Sequence, residues 1–513
     1  MPTSHYEGLR QTIEAVVKGI CEGYKPPKVQ SNKVIRDSVF GFNVFFKHEI
    51  DLLDSPLLQR LRRIHQTSLA HLTYPSSVHT RFEHSLGVTI IADKMIGAIN
   101  SKLPQGKFQI EPSERAEIRL ACLLHDSGHG PFSHASESVF GSEDYEIDKV
   151  KAEQPALFGN ANPHEVVSYC IATSDAFRKH LWGKICELYN AKEDEILCDL
   201  DKINLERVGQ MILGKKAKDY PLFLSQIVNG PFDADKFDYI IRDGHFTGLV
   251  TPVDIERLFV SLDIAKAKEH GLPEFKEDVL CMDIGGATVL EQVLFSKMIL
   301  TSSFYHHHKV RSAFRTLVRL FESLRENKCS LNGVTLDKTP NFLMLDDTVI
   351  LGADIRQLPD ESARLLAAIR NRRLPKRALV ITKDSIMDGG SMAEYFRIRD
   401  DRNLRMKLER SLASALKGIS PVFIDFPPEA SFAISGVHSL VRLAPKRFVN
   451  LDRLYPASGW VTGYAEYRYR GYVFSPPENQ KDVCDAAVAV FDGANVKLNK
   501  ELCAQLAKMP TRQ

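Results

Sequence analysis

The sequence predicts a mainly α protein, with a helical core and a smaller C-terminal α+β lobe. Helix signals dominate up to about residue 325, whereas short strand-like runs between turns become frequent only beyond about residue 330. The chain has 513 residues, 44% of them hydrophobic, which is enough for more than one core. We therefore expect an N-terminal helix over 1–30, a helical domain over 31–329 and the α+β lobe over 330–513.

Overall composition narrows the classes of partner. The chain has 67 basic and 65 acidic residues and a net charge of +2, so no global basic field indicates nucleic acid or an anionic membrane. Nine cysteines are scattered without CxxC spacing, which favours reduced thiols over a disulfide framework or a zinc ribbon. The N-terminal stretch is interrupted by charges, and no apolar run approaches the roughly 18 residues of a membrane span. We expect a cytoplasmic protein with no membrane partner.

The first hundred residues predict helices separated by a hairpin. Residues 1–30 indicate one amphipathic helix, and the Val- and Phe-rich residues 33–46 indicate short strands or a hairpin. Ser55-Pro56 is typical of a helix start, and LLQRLRRIHQTSL after it predicts a continuous helix. A further helix carries, near its start, Arg81 and His84.

The stretch Leu120–Glu137, LACLLHDSGHGPFSHASE, concentrates polar chemistry at the end of a buried helix. His125-Asp126 directly follow the apolar helix, and His129 and His134 come after a turn that glycines and a proline enforce. A lone His-Asp pair is more often a structural helix end. This density of imidazole beside carboxylate, however, is unfavourable to bury without a function. The stretch therefore predicts a functional site.

Further along the chain, helices are predicted first and strands later. Residues 163–230 indicate a series of helices, and within 232–248 three polar residues share one helical face: Asp235, Asp238 and Tyr239. A long helix is predicted over 283–324, after a glycine break. Beyond residue 330 we expect two helices and four strands, at RALVIT, PVFIDF, VRLAP and YRGYVFS.

Four residues on separate predicted helices could bind a divalent metal: His84, His125, Asp126 and Asp235. Imidazoles with one or two carboxylates suit Fe, Mn, Zn or Co and leave positions open for water. Helical bundles bring such ligands together from different helices. Any single histidine could instead be a satisfied core residue, but the matched set favours a metal site. Such a metal could lower the pKa of water towards neutrality.

Other polar residues near this set suit phosphate and proton transfer. Arg81, Lys236 and Tyr239 supply cations and a hydroxyl for phosphate oxygens, although each cation alone would as readily form a solvated ion pair. The candidates for proton transfer are three histidines and an acid that could orient one of them: His129, His134, His164 and Glu137. The residues alone do not say which histidine faces the scissile bond.

The order of these motifs resembles a known family. The motifs RFEH from Arg81, HDSGHGPFSH from His125 and DADKFDYIIRD from Asp233 resemble the HD superfamily. Within it they are similar to the deoxynucleoside triphosphate (dNTP) triphosphohydrolases, the branch that includes the SAM-and-HD-domain protein and bacterial relatives. The resemblance covers roughly residues 30–325, and we expect no SAM domain ahead of it. It implies an HD-domain helical core.

The resemblance implies roles for individual residues. Hydrolysis would release a deoxynucleoside and intact triphosphate, and magnesium could accompany the substrate. The metal ligands would be His84, His125, Asp126 and Asp235, and the catalytic cluster His129, His134, Glu137 and His164. The triphosphate would meet Arg81, Lys236 and Tyr239; the sugar would meet Gln66 and Asp243, with Tyr305 or His306 beneath it.

A second correspondence implies regulation by nucleotides. Lys33, Asp54, Gln59 and Arg62 fall where regulated members bind an activating guanine nucleotide between subunits, and His308-Lys309 resemble a pair that reaches a second nucleotide. From their residue types alone, these positions are more often structural. Lined up on the family pattern, they imply activation by GTP and dNTP and a homo-oligomer, either a tetramer or a dimer.

Departures from the family pattern keep other functions open. Thr67 stands where the family carries a leucine that excludes ribose, and Arg36 replaces a neutral polar residue of the regulatory pocket. One alternative is another HD phosphohydrolase: a nucleotidase, phosphodiesterase or nuclease. The other is a non-catalytic HD protein that binds nucleic acid or regulates. The complete set of ligand candidates and the near-neutral charge favour the triphosphohydrolase.

Overall fold

The computed structural model describes residues 4–508, except 105–106, 108, 144, 190–195, 218, 268–276, 417 and 428–438. Over these residues the protein is mainly α-helical with small sheets, as predicted. The chain forms two compact units. The first comprises Met1–Leu300, Leu324–Asp354 and Ile434–Ala457, so far as these are described, and the second comprises Thr301–Ser323, Ile355–Ala433 and Ser458–Gln513. Residues 330–513 therefore contribute to both units.

The predicted N-terminal helix and hairpin are both present. Helix His5–Cys21 begins at Ser4, whose side chain accepts a hydrogen bond from the Glu7 amide, and it buries a stripe at helical spacing. Strands Lys33–Asp37 and Gly41–Phe45 pair antiparallel. Gly41 adopts φ +71°, which a glycine tolerates and which lets the turn close.

The helix predicted from Ser55 onward is wrong in length. Helix Pro56–Gln59 is followed only by a 3₁₀ turn, Arg60–Arg63, and Ile64 is already extended. Tertiary contacts override helix propensity here. The Arg60 side chain is buried and bonds to distant carbonyls, and the Gln66 amide donates to the His79 carbonyl.

The candidate metal-binding and proton-transfer residues lie on helices of the first unit or in the turns next to them. Helix Arg81–Asn100 is buried on nearly all sides, as expected for a central helix. It packs against Pro112–Leu124 and Ala234–Thr247. Among the described residues, the remaining α-helices of at least six residues in this unit are Lys47–Leu53, His134–Phe140, Ile147–Glu153, Pro163–Ala172, Leu205–Ile212, Leu222–Val228, Ile255–Ser261, Ala287–Leu300 and Asp347–Gly352.

The long helix predicted over 283–324 is also corrected. Asp283 ends a strand, and two helices follow, Ala287–Leu300 and His308–Glu326, separated by a π-helical turn at Thr301–Tyr305. In that turn the His306 amide donates to the Thr301 carbonyl, five residues back, so the regular ladder is broken. The boundary between the two units falls at the same place.

Each unit contains a small sheet. In the first unit the sheet has the strand order Leu262–Ala265, Val279–Asp283, Leu440–Ala444 and Arg447–Asn450. Of these four strands, only Leu440–Ala444 was predicted from the sequence. In the second unit Gly471–Ser475 pairs antiparallel with both Lys376–Ile381 and Phe423–Asp425. That sheet shares a core with the helices Gly389–Asp400, Arg402–Ala415, Gln480–Gly493 and Lys500–Lys508. Helix Asp360–Arg370 lies in the same unit, and helix Ala457–Arg468 begins at its boundary.

The helices were also compared with the dimensions of a lipid bilayer. Across the described part of the chain, none of them combines the length and the apolarity needed to cross a membrane.

Candidate metal centre and catalytic cluster

Four side chains from three helices meet at one point, which we call the metal cluster: His84, His125, Asp126 and Asp235. His84 lies in the first turn of helix Arg81–Asn100. His125 caps the end of Pro112–Leu124, with Asp126 next to it, and Asp235 lies in the first turn of Ala234–Thr247. The structure thus brings together all four residues predicted from the sequence as ligands.

The facing atoms of the metal cluster lie close to one another. His84 Nε2 is 2.9 Å from Asp235 Oδ1, 3.3 Å from His125 Nε2 and 3.6 Å from Asp126 Oδ2. His125 Nε2 is also 3.4 Å from Asp126 Oδ1. The side chains of His84 and Asp126 are buried, whereas that of Asp235 is 36% exposed, so the cluster has one accessible side.

The outer ring nitrogens of the two histidines have partners that fix both rings. His84 Nδ1 lies 2.6 Å from Asp238 Oδ2, and His125 Nδ1 lies 2.7 Å from the Cys122 carbonyl. Arg242 donates to both oxygens of Asp238. Gly87 is required for this packing because a Cβ there would come within 1.8 Å of Asp238 Oδ1. Both Nε2 atoms are therefore aimed at the carboxylates.

The charges of the metal cluster fit a cation. Burial alone would raise the pKa of Asp126, but Arg81 and the neighbouring imidazoles hold it well below its usual range. Burial would lower the pKa of His84, but hydrogen bonds to Asp235 and Asp238 raise it to about 10. Two imidazoles and two carboxylates with converging atoms are donors that suit a divalent transition metal. These residues therefore fit the metal that the sequence predicted.

A second group, which we call the proton cluster, comprises His129, His134, Glu137 and His164. Glu137 lies between two imidazoles, with Oε2 2.5 Å from His134 Nδ1 and Oε1 2.7 Å from His164 Nδ1. The His129 ring stacks on that of His164 with centroids 4.0 Å apart. His134 is the accessible member, with 64% of its side chain exposed. The four ligand-capable atoms lie within 4.8 Å of one another.

The members of the proton cluster differ in the direction of their pKa shifts. Burial would raise the pKa of Glu137, but His164 and His134 hold it well below its usual range. Burial would lower the pKa of His164, but Glu137 raises it to about 9. For His129, burial and then the charge of Arg81 hold the pKa well below its usual range. His164 is therefore cationic at neutral pH, whereas His129 is neutral.

Arg81 joins the two clusters. Its NH1 donates to Asp126 Oδ2 at 2.7 Å and its Nε to Ser133 Oγ at 2.9 Å. Its NH2 lies 3.4 Å from His134 Nε2. Asp126 also faces both sides, since Oδ1 is 3.4 Å from His129 Nε2. A guanidinium between a metal cluster and an exposed imidazole is well placed for a phosphate oxygen.

The predicted triphosphate residues of helix Ala234–Thr247 lie beside the metal cluster. Lys236 Nζ donates to Asp233 and to the Gly230 carbonyl, and Asp233 keeps the pKa of Lys236 raised although burial would lower it. Burial raises the pKa of Tyr239 well above its usual value. Within the described residues no hydrogen bond fills the Tyr239 hydroxyl, so it can bond to a ligand.

The two predicted sugar residues meet at His79. Asp243 Oδ1 lies 2.7 Å from His79 Nε2, and the backbone N–H of Gln66 donates to the His79 carbonyl. The Gln66 side-chain oxygen is buried, and among the described residues it has no donor. An acceptor of this kind is suited to a ligand hydroxyl.

The predicted regulatory residues fall in both units. In the first, Gln59 Oε1 accepts from Arg62 Nε at 2.9 Å, while Lys33 and Asp54 both act electrostatically on Asp51. In the second unit lie the two residues that start the helix after the π-helical turn, His308 and Lys309. Tyr305, which was predicted to lie beneath the sugar and not to be regulatory, ends that turn and belongs to the same unit.

Sequence reasoning missed some residues near the metal cluster. Asp238 was noted only for its helical face, although its one-turn spacing from Arg242 was a signal of a buried ion pair. Lys297 was missed because it is a single lysine in an apolar helix far along the chain. Burial lowers the pKa of Lys297 to about 8, and its charge interacts with Lys236, Asp233 and Asp235.

Comparison with known families matches two models to this chain. An HD domain matches residues 81–212 and includes His84, His125, Asp126 and the whole proton cluster. An HD associated region matches residues 253–502.

Similar proteins include named enzymes and uncharacterized proteins. The chain is 27% identical over 373 residues to the deoxynucleoside triphosphate triphosphohydrolase SAMHD1 homolog of Dictyostelium discoideum, covering 71% of this chain and 64% of that protein. It is 31% identical over 282 residues to an uncharacterized protein of Methanocaldococcus jannaschii, covering 55% and 47%. Human SAMHD1 is 28% identical over 241 residues, covering 45% and 36%. The chain thus spans less than two thirds of each of these relatives.

A solved structure shares the fold. The crystal structure of a hypothetical protein from Aquifex aeolicus superposes with a TM-score of 0.59 at 22% identity, covering 89% of this chain and 99% of that one. With an HD domain, an HD associated region and SAMHD1 proteins among its relatives, the chain belongs to the HD-domain proteins.

Proposed function

We propose that this protein is a metal-dependent dNTP triphosphohydrolase that converts a dNTP and water to a deoxynucleoside and inorganic triphosphate. The observation that carries the proposal is Arg81, which bonds to Asp126 of the metal cluster and faces His134 of the proton cluster. The names of the SAMHD1 relatives support the same reaction. A phosphate held by Arg81 would lie between a metal and a proton donor.

The chain has suitable groups for each part of the substrate. Arg81, Lys236 and Tyr239 would bind the triphosphate, and the half-buried Lys297 adds a cation that interacts electrostatically with Lys236. The free acceptor of Gln66, together with Asp243, would meet the sugar. Charge stabilisation around a phosphate is usually the largest catalytic contribution in such chemistry.

Proton transfer is assigned to His134. Water attacks the α-phosphorus and gives up one proton, the bond to the 5′-oxygen of the deoxynucleoside breaks, and that oxygen gains a proton from His134 Nε2. The proton lost by the water passes to solvent, from which the exposed His134 is protonated again, so that the net reaction consumes one water. Glu137 holds His134 Nδ1, which leaves Nε2 directed away from the carboxylate. A divalent metal bound by His84, His125, Asp126 and Asp235 would supply Lewis-acid chemistry and lower the pKa of water.

The reaction can be tested with the purified full-length chain. Each dNTP and NTP is incubated with Mn²⁺ or Mg²⁺, with and without GTP, and the products are resolved. Release of triphosphate and deoxynucleoside is the expected result. Orthophosphate or pyrophosphate as the product would instead identify another HD phosphohydrolase, and the absence of any product under every condition would contradict an enzymatic function.

One observation favours a second candidate within the same chemistry, a triphosphohydrolase that also accepts ribonucleotides. Thr67 occupies the position at which the resembled family carries a leucine, and its Oγ1 lies 2.9 Å from Ser77 Oγ. A threonine is smaller than leucine, and the hydroxyl of Thr67 is held by its contact with Ser77. The position therefore leaves more room for a 2′-hydroxyl than a leucine would. Comparable rates for an NTP and its dNTP in the same assay would support this candidate.

We also propose that nucleotides regulate the enzyme through a homo-oligomer. The residues involved would be Lys33, Asp54, Gln59, Arg62, His308 and Lys309. Gln59 and Arg62 already contact each other, and Arg62 stacks on Phe82 with its Cζ 3.7 Å from the ring centre. Gel filtration with and without GTP plus dNTP should show assembly, whereas a monomer insensitive to nucleotides would contradict this regulation.

A further inference from the structure

The turn that precedes His134 has an unusual backbone. Phe132 and Ser133 are consecutive non-glycine residues with positive φ, 56° and 55°, and ψ of Ser133 is −121°. Residues other than glycine rarely adopt this backbone conformation, and it persists only where surrounding contacts enforce it. The contacts that enforce it here therefore also determine where His134 begins its helix.

The strongest of these contacts comes from Asp347, more than two hundred residues away in sequence. Asp347 Oδ1 accepts a hydrogen bond from the Phe132 amide at 2.6 Å. Asp347 Oδ2 accepts from the His65 amide at 2.9 Å and lies 2.6 Å from His65 Nδ1. One buried carboxylate thus holds two segments, one next to Gln66 and one next to His134.

The same two segments are also connected to the metal cluster. Ser133 Oγ donates to the His65 carbonyl at 2.6 Å and accepts from Arg81 Nε at 2.9 Å. Arg81 in turn bonds to Asp126. Hydrogen bonds therefore connect Asp347 to the His65 amide and the His65 carbonyl to Ser133. From Ser133 they continue through Arg81 to the carboxylate of Asp126.

Other contacts near Asp347 also stabilise the turn that precedes His134. The buried guanidinium of Arg60 donates to the carbonyls of Leu343, Ser127 and His129. Gly130 packs so closely on this segment that an added Cβ would lie 2.9 Å from Phe342 Cβ. The segment from Thr339 to Gly352 thus packs against the turn and helps to hold it in place.

We propose that Asp347 is a positioning residue that sets His134 and Gln66 relative to Arg81 and the metal cluster. The proposal rests on the proposed function, since it assigns a catalytic role to His134 and a sugar contact to Gln66. It goes beyond that function in giving the HD associated region a direct part in the site, because Asp347 lies within residues 253–502. Displacement of a reacting group by about 1 Å lowers rates by up to about 10²-fold.

The test compares Asp347→Asn with Asp346→Asn in the full-length protein. Asp346 is the matched control because it starts the same helix, but its carboxylate caps the Val349 amide and pairs with Arg63 instead of the turn. For Asp347→Asn we expect kcat to fall about 10- to 100-fold because His134 is displaced, with metal content unchanged. Asp346→Asn should keep kcat within about threefold of the wild type.

Hydrogen exchange supplies a measurement that does not depend on the substrate. The peptide covering residues 127–137 should exchange faster in Asp347→Asn and not in Asp346→Asn, because a side-chain amide has no charge and only one acceptor oxygen for the two donors at Phe132 and His65. If Asp347→Asn fails to fold, His65→Gln removes the contact between His65 Nδ1 and the carboxylate, together with the stacking of that ring on His71, and keeps the bond from the backbone amide. It should show smaller changes of the same kind.

Two results would overturn the proposal. One is exchange of residues 127–137 that is the same in all variants, and the other is a kcat for folded Asp347→Asn equal to that of Asp346→Asn. A wild type that hydrolyses no dNTP would contradict the proposed function, whereas the exchange experiment would still decide whether Asp347 holds the turn.

Discussion

The metal cluster and the proton cluster contain the same residue types, histidine and carboxylate, but arrange them differently. In the metal cluster, Asp235 and Asp126 lie on the Nε2 side of His84, and its Nδ1 is held by Asp238. In the proton cluster, Glu137 takes the Nδ1 atoms of two histidines. The two clusters therefore differ on the Nε2 side of the imidazole: carboxylates converge on Nε2 of His84, whereas Nε2 of His134 faces Arg81.

This difference has a physical basis. Carboxylates and Nε2 atoms that converge concentrate lone pairs at one point, which is favourable only if a cation or protons are bound there. A carboxylate bonded to Nδ1 raises the proton affinity of the ring, and where no carboxylate occupies Nε2, as in His134, that nitrogen remains for a substrate. Arg81 lies between the two arrangements and contacts both.

The largest effect is expected for Asp126→Asn in the metal cluster. The change removes the charge that lies 2.7 Å from Arg81 NH1 and near both ligand histidines. Bound metal should be lost, and dNTP hydrolysis should fall by about 10³-fold or more, as removal of a metal-assisted step does. Metal analysis of the purified variant and a product assay check this. Full metal content and full activity would contradict the assignment.

Glu137→Gln tests whether the second cluster differs in function from the first. The substitution removes the charge that orients His134 and His164, so kcat should fall about 10²- to 10⁴-fold, the usual range for general acid catalysis. Metal content should remain that of the wild type. If the variant lost metal together with activity, the two clusters would not be functionally separate.

Asp238→Asn is expected to weaken metal binding without abolishing it. Asp238 contacts His84 Nδ1 and not the converging atoms, and loss of such an outer partner typically lowers metal affinity about 10- to 100-fold. Competition with a chelator measures the affinity. A variant with wild-type affinity would show that the ring of His84 is held by packing alone.

The smallest effect concerns pH. Glu137 raises the pKa of His164 to about 9, so the stability from this ion pair is fully present below about pH 6.5, the unperturbed histidine value, and is lost as the pH rises through about 9. The thermal midpoint of the wild type should therefore fall more steeply from pH 7 to pH 10 than that of His164→Gln. Parallel curves would contradict the raised pKa.

Much of the fold and of the site could be predicted from local pattern. The mainly α class, the helix at His5–Cys21 and the hairpin follow from apolar spacing and turn residues. The metal cluster was predicted because its residues stand at helix ends in recognisable motifs. The length of the helix after Ser55 and the break at Thr301–Tyr305 were not predicted, because distant contacts and a unit boundary override helix propensity there.

The sequence by itself determined which residue types are available for chemistry and on which helices they lie, because helical periodicity and motif spacing are local properties. Only the tertiary structure decided which nitrogen of each histidine faces a carboxylate, and that Asp347 holds the turn before His134. Both depend on side chains far apart in sequence that meet in a buried site. There, each polar group must find a partner, and the choice of partner sets its function.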